Sequence, residues 1–494
     1  AWLDDARGPA LDLGGSPSVA RQIAAAANAC PDSEAVIQNQ QRWDYATLRD
    51  RAGNLAARLH DGTDPICLLL PRGPDAVGAI LAAMSAGVPY VPLDSSAPDP
   101  RLARIVAELR GAHDGRPPRI VCAAGERARV ERIGGIPRSL DVKLDPDSLA
   151  PAIADADAAG LAYIIYTSGS TGAPKGVAIT RGGLAASNLA RDEFYGPPPQ
   201  RFLLVSPLHF DSAVAGLYWT LCGGGTLVLP QPDLAADPRH LAACIAEEEA
   251  TDTLLLPSLY RLLLEAASPG QLDSLRRVIV AGEALDAELV AAHERLLPQA
   301  ALFNEYGPTE ATVWATATRC TSRDARPSIG RPIANGRAYV LDRDGNPLPR
   351  GAAGELYLGG PGIARDYVGQ PGLSAERFLS DPFEPGARCY RSGDLVRRRG
   401  DGDLEFLGRA DDQLKIRGHR VEPAEIEAAL LALDGIDEAA VLGRAATGGT
   451  RLEAWCSSGA GSLSSAAVRR ALAASLPAYL CLLYTSPSPR DCVS

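Results

Sequence analysis

The chain has 494 residues, 46% of them hydrophobic, and a net charge of -11. That length exceeds a single ordinary core, so two or more domains are expected. The acidic balance argues against nucleic acid, which calls for a basic face, and no stretch reaches the roughly 18 apolar residues that cross a bilayer.

Ten scattered cysteines without a C-x-x-C pair suggest neither a zinc site nor a disulfide framework, and fit a reducing cytoplasm. The chain starts at Ala1 with "WLDD" next, which is no secretory signal and reads as the start of a piece of something longer. Val19, Ile23 and Ala27 recur at helical spacing ahead of the strand-like "EAVIQ". "ICLLL", "RIVCAA", "LAYIIYT", "RFLLVS", "GTLVL", "DTLLLP" and "RRVIVAGE" follow, each near an alanine-rich helical stretch, and this alternation predicts parallel α/β layers. From about Pro327 short strands separated by Asp-Gly and Pro-Arg-Gly turns predict an antiparallel meander or small barrel. Beyond Gly408 a small α+β unit is expected, with Ile426, Leu430 and Leu433 on one helix face and Val468, Leu472 and Leu476 on another. The domains predicted are a large core over 1–410, a lid over 411–479, and a foreign tail over 480–494, where composition turns to Ser, Pro and Cys.

The run "YIIYTSGSTGAPKG", residues 163–176, places glycines, four hydroxyls (Thr167, Ser168, Ser170, Thr171) and Lys175 between strand-like stretches. Glycines let backbone N–H groups approach a ligand, and the hydroxyls and ammonium complete an anion-binding set. A Walker loop needs G-x-x-x-x-G-K-[ST]; Pro174 and Gly176 on either side of Lys175 exclude it. A plain glycine–serine linker does not explain a lysine after proline between two strands. Of 49 basic residues only Lys143, Lys175 and Lys415 are lysine, so a surviving lysine marks a use for a compact, rotatable ammonium. Lys143, among polar residues, reads as solvated surface. "LDLGGSPS" at 11–18 lacks the surroundings of a carrier attachment site and reads as a loop.

Eight strings occur in order: "WDYATLRDRAGNLAARL", "MSAGVPYVPLD", "YTSGSTGAPKG", "HFDSA", "NEYGPTE", "GELYLGGPGIARDY", "YRSGDLVRRRGDGDLEFLGRADDQLKIRGHRVEPAEIE" and "LPAY". In this set and order the chain resembles the acyl-adenylate-forming superfamily, and within it the adenylation domains of nonribosomal peptide synthetases. The resemblance implies an α/β fold with a large N-terminal domain (two layered subdomains and a small β-barrel) and a small α+β lid. It implies condensation of a carboxylate with ATP and Mg2+, giving acyl-AMP and pyrophosphate. A carboxylate needs no general base, so the work is positioning and charge neutralisation. By similarity Thr167, Ser168, Gly169, Ser170, Thr171, Gly172 and Lys175 would hold the β- and γ-phosphates. Tyr306 would stack on adenine with Asn304 and Gly282 near it, Thr309 would touch the α-phosphate, Glu310 would bind magnesium, Asp394 would accept from the ribose hydroxyls, and Arg409 would lie near ribose or phosphate. Lys175, Thr309 and Glu310 are the catalytic set implied.

The lid would turn about a hinge at Asp411 and line a phosphopantetheine tunnel with "KIRGHR", Gly418 leaving room. The partners implied are a peptidyl carrier protein and neighbouring synthetase domains, with no nucleic acid and no membrane. Asp211 stands where amino-acid-activating members pair the substrate's α-ammonium, a feature that acyl- and aryl-CoA ligases generally lack. The other pocket positions carried over are Ser212, Ala215, Leu255, Ile279, Ala281, Glu305, Val313 and Trp314. They make a mostly apolar lining with an acidic accent at Glu305, suited to an α-amino acid with a hydrophobic body, proline or an aromatic included. The alternatives are a CoA ligase of the same fold or a degenerate, non-catalytic adenylation domain.

After "LPAY" the family continues to "PL…GK", whose lysine reaches the reacting carboxylate; here the foreign tail takes its place and no lysine follows Lys415. The chain as it stands is therefore expected to bind ATP and amino acid but adenylate slowly. Appending the motif should restore ATP–pyrophosphate exchange, and equal rates with and without it would contradict this reading.

Overall fold

A computed structural model describes residues 2–13, 18–59, 64–140, 157–169, 172–322, 325–416, 418–446, 449–458, 464–481 and 484–485. The predicted alternation of strands and helices builds two mostly parallel sheets. One has seven strands in the order Asp366–Tyr367, Lys175–Thr180, Leu161–Thr167, Tyr90–Pro92, Ile66–Leu69, Arg119–Cys122, Ile136–Ser139. The other has nine, in the order Arg331–Pro332, Thr316–Arg319, Ala301–Tyr306, Arg277–Ala281, Asp252–Leu255, Arg201–Leu203, Thr226–Val228, Glu34–Gln38, Gln41–Asp44. Its inner strands run parallel and its edges antiparallel.

The two sheets share one apolar layer. Ile66, Leu68, Tyr163 and Val177 of the first meet Phe202, Leu204, Leu254 and Ile279 of the second, across the helices Val19–Ala29, Tyr45–Ala56, Pro74–Ser85, Arg181–Tyr195 and Asp211–Cys222. Helix Val19–Ala29 turns Val19, Ile23 and Ala27 into this layer, as its spacing predicts. The outer face of the nine-stranded sheet carries its own core, with Leu203, Leu255, Val278, Val280 and Leu302.

The stretch expected to be a meander or small barrel is a five-stranded antiparallel sheet, with Arg388–Arg398 paired to Ala353–Gly359, Phe378–Ser380 and Leu404–Arg409. Next comes the small unit: a hairpin Leu414–Ile416/His419–Val421, the antiparallel pair Glu438–Ala446/Gly449–Ser457, and helices Pro423–Leu431 and Ser465–Ala473. Its core gathers Ile426, Leu430, Val468, Leu472 and Leu476, with Leu433 packed beside them.

One boundary differs from expectation. Leu480, assigned to the foreign tail, is fully buried in this core, and Tyr484–Thr485 pair with Gly449–Ser457. Composition alone marked the break, whereas burial continues past it; the tail beyond 485 lies outside the described residues. Leu480→Ala is expected to cost the lid about 2–5 kcal/mol. Hydrogen exchange of lid amides reads this, and unchanged protection would mean that Leu480 is no part of the lid.

Candidate functional site

The run "YTSGSTGAPKG" is the connection of a β-hairpin, Leu161–Thr167 with Lys175–Thr180, and the ladder closes at the pair Thr167↔Lys175. Ser170 and Thr171 lie outside the described residues. Gly169 admits no side chain, because a Cβ there would stand 1.9 Å from the Ala173 carbonyl oxygen. Gly172 has φ 80°, which glycine adopts at no steric cost. Thr167 Oγ1 is buried with no hydrogen-bond partner, while Ser168 Oγ donates to the Arg420 carbonyl at 2.5 Å. Burial pushes the Lys175 ammonium down to about 8, with Arg420 adding to the effect.

Opposite the hairpin, the strand Ala301–Tyr306 ends in the turn Thr309–Ala311. Glu310 there is fully buried: Arg420 Nη1 donates to both its oxygens at 2.9 Å, Tyr367 Oη donates at 2.6 Å, and Lys175 Nζ lies 3.6 Å away. Burial alone would raise this carboxyl, but Arg420 and then Lys175 hold it well below the usual carboxylate range. The neighbouring Thr309 Oγ1 donates to Asp211 Oδ2 at 2.6 Å. Asp211 opens the helix Asp211–Cys222, where the helix dipole favours an anion, yet burial raises its pKa.

A second chain of contacts leads to the lid. Tyr306 Oη and Arg409 Nη1 both donate to Asp394, and Arg409 grips Asp411 through Nε at 2.6 Å and Nη2 at 2.7 Å. The expected hinge residue is thus tied by one guanidinium to the expected ribose acceptor. Lys415 Nζ lies 5.6 Å from the centre of the Tyr306 ring. Asn304 spends its amide on the Ser328 carbonyl at 2.7 Å. Gly282 and Gly418, both at positive φ, meet across Leu256; a Cβ on Gly418 would reach Leu256 Cδ2 at 2.2 Å.

The strand positions among the expected pocket residues share one face, with one exception. The register pairs Leu254 with Ile279 and Ile279 with Phe303, and Ala281 with Glu305, so these share the inner face beside Ala215 and Trp314. Leu255 pairs with Val280 and packs in the outer core. A shift of one residue in a strand reverses the face, so Leu254, and not Leu255, lies on the side of Ile279. Ser212 is half-buried beside Asp211. Thr312 and Val313 adopt φ of 54° and 80°, unusual for a β-branched residue, and the turn is held by Ser187 Oγ donating to the Thr312 carbonyl at 2.9 Å.

Glu305, read as an acidic accent, is buried against the helix Arg181–Tyr195: Arg191 donates at 2.5 and 3.1 Å and Tyr195 Oη at 2.6 Å. Arg191, Tyr195, Leu254, Tyr367 and Arg420 are site residues that the motif reading did not assign. Tyr367 and Arg420 lay inside quoted motifs; Arg191 and Tyr195 lay in none, and only their i, i+4 spacing hinted at a shared face.

A family of AMP-binding enzymes matches residues 23–368. Tyrocidine synthase 3 of Brevibacillus parabrevis is 38% identical over 91% of this chain and 7% of its own length. Phosphinothricin tripeptide synthetase PhsB of Streptomyces viridochromogenes is 40% identical over 87% of this chain and 36% of its own length. The chain thus spans a small part of both relatives. Among solved structures, holo-PA1221, an NRPS protein containing adenylation and PCP domains, superposes with a TM-score of 0.83 at 28% identity, covering 97% of this chain and 82% of that one. The Vibrio cholerae adenylation domain AlmE, in complex with glycyl-adenosine-5'-phosphate, gives a TM-score of 0.84 over 98% and 97% at 24% identity, a likeness of fold.

The register makes a paired prediction. Leu255→Ala should cost stability, about 2–5 kcal/mol in a thermal melt, and leave ligand preference alone. Leu254→Ala should change which ligand side chain binds best, and the reverse pattern would refute the assignment.

Proposed function

The chain belongs to the AMP-binding enzymes, and from that premise we propose that it joins an α-amino acid to ATP as aminoacyl-AMP, releasing pyrophosphate, and passes the aminoacyl group to a carrier protein's phosphopantetheine thiol. The bond between Asp211 and Thr309 carries this reading. It sets a carboxylate able to receive an α-ammonium beside the turn that faces the nucleotide. An acyl or aryl acid offers nothing to pair with that half-buried carboxylate, which would then remain desolvated at a cost.

The chemistry follows from charge. The substrate carboxylate is already an anion and attacks the α-phosphorus; pyrophosphate leaves with the electron pair of the broken P–O bond. The residues here place the reactants and oppose the phosphate charge. Lys175 and the hairpin's backbone N–H groups would hold the outer phosphates, and the unpartnered Thr167 hydroxyl suits an oxygen acceptor there. Asp394 would accept from ribose, with Tyr306 under the adenine and Arg409 close by.

Among the described residues no cluster of three or more His, Cys, Asp or Glu could hold a metal. A single carboxylate with nucleotide oxygens and waters suits magnesium, so Glu310 would hold it, and the ion when bound neutralises phosphate charge. Arg420 uses both Glu310 oxygens in the present arrangement. Access to Glu310 therefore requires the lid to move, consistent with rotation about Asp411. With Gly418 and Lys415 turned toward the core, this lid orientation suits the transfer half-reaction.

The neighbours support the partners. PhsB is named a tripeptide synthetase, and holo-PA1221 contains an adenylation and a PCP domain. A carrier protein and neighbouring synthetase domains are accordingly the partners proposed. Among the described residues no helix is long and apolar enough to cross a membrane.

Amino-acid-dependent ATP–pyrophosphate exchange, run on the chain with the final motif appended, tests the proposal: Asp211→Asn should lower it about a hundredfold or more. Exchange driven only by fatty or aryl acids would overturn the amino-acid reading. A pH dependence follows as well. An ammonium partner must be ionised, and burial raises the Asp211 carboxyl, so amino-acid affinity should fall on acidification sooner than it would with an ordinary aspartate. Calorimetric titration across the acid range measures this.

A further inference from the structure

Glu305, carried over as a position of the proposed amino-acid pocket, pairs in register with Ala281. An unpaired carboxylate there would draw a basic side chain. The structure gives it three donors instead, two from Arg191 and one from Tyr195. Arg191 and Glu305 are 1% and 3% exposed, so water screens neither charge. The guanidinium also lies 4.4 Å from the centre of the Trp314 ring, and Tyr195 stacks on that ring at 5.7 Å. Trp314 donates through Nε1 to Ser187 at 3.2 Å, so one helix positions both the pocket wall and the counter-charge.

The nearby charged groups have other partners. Arg277 is bound to Asp252, and Asp192 accepts from Trp219 Nε1 at 2.9 Å. Glu305 is thus left with Arg191 as its counter-ion.

We infer that Arg191 is a specificity-determining residue: by neutralising Glu305 it sets the pocket for an amino acid with an uncharged side chain and against basic ones. The inference rests on the amino-acid-activating reading and deepens it. A lysine-like side chain entering here would bring a third charge into a pair already balanced, without water to solvate it. Selectivity then comes from rejecting the wrong charge as much as from fitting the right shape.

The test uses aminoacyl-sulfamoyl adenosines, stable mimics of aminoacyl-AMP, carrying leucyl, prolyl, phenylalanyl, lysyl or glutamyl groups. Their Kd values are measured by calorimetry on the chain as it stands, so turnover is not needed. The unaltered chain should bind the neutral analogues more tightly than the lysyl one. Arg191→Met frees the carboxylate and should shift the lysyl-to-leucyl preference by about tenfold or more toward lysyl. Glu305→Gln frees the guanidinium and should shift preference toward the glutamyl analogue. Arg191→Lys keeps the charge and should keep the original ranking. Should Arg191→Met not fold, as a melting curve would show, the Glu305→Gln shift and the ranking of the unaltered chain still decide. A lysyl preference in the unaltered chain, or folded variants with unmoved ratios, would overturn the inference. Failure of every analogue to bind would instead overturn the amino-acid reading beneath it.

Discussion

A carboxylate with no exposed surface organises this molecule. Glu310 is reached by Lys175 from the hairpin, by Tyr367 from the edge strand of the same sheet, and by Arg420 from the small unit. Burying one charge is costly, and the cost is offset only when partners converge with good geometry. Here the partners come from three separate stretches of chain, so their positions are fixed by one another. Removing Arg420 would leave the carboxylate with the Tyr367 hydroxyl and one cation, Lys175, so the position of the small unit bears directly on the charge balance at Glu310.

The rest of the site follows from sheet direction. The strands Asp252–Leu255, Arg277–Ala281 and Ala301–Tyr306 run parallel and end at one rim, where Leu256, Gly282 and the Thr309–Ala311 turn lie. Open α/β sheets gather ligands beyond the carboxyl ends of their strands. The hairpin closes that rim from the other sheet, and helix Asp211–Cys222 brings its first turn to the same place. Two sets of contacts hold that rim: Thr309 with Asp211, and Arg409 with both Asp394 and Asp411.

Much of this was legible in the sequence because the chemistry is local. The strand-like runs on either side of the glycine-rich stretch are the paired strands Leu161–Thr167 and Lys175–Thr180, and Val19, Ile23 and Ala27 share a helix face as their spacing requires. What was not legible depends on register and on long-range pairing. Leu254 and Leu255 are indistinguishable as letters, and only the register with Ile279 and Val280 decides which shares the face of Ile279. Glu305 read as a charge because its counter-ion is 114 positions away on a helix without a motif. Leu480 read as foreign because composition changes there, while its burial depends on a core assembled from elsewhere. Motifs report what a ligand needs, and packing determines what charge the ligand meets.

The central claim is that one cleft receives an amino acid and a nucleotide together, on Asp211 and Asp394 respectively. The most direct measurement is a crystal structure with a bound aminoacyl-sulfamoyl adenosine. The account predicts the ligand's ammonium within hydrogen-bond reach of Asp211, its ribose hydroxyls on Asp394 and its side chain between Ile279 and Trp314. A ligand whose amine lies away from Asp211, or whose ribose makes no contact with Asp394, would contradict it.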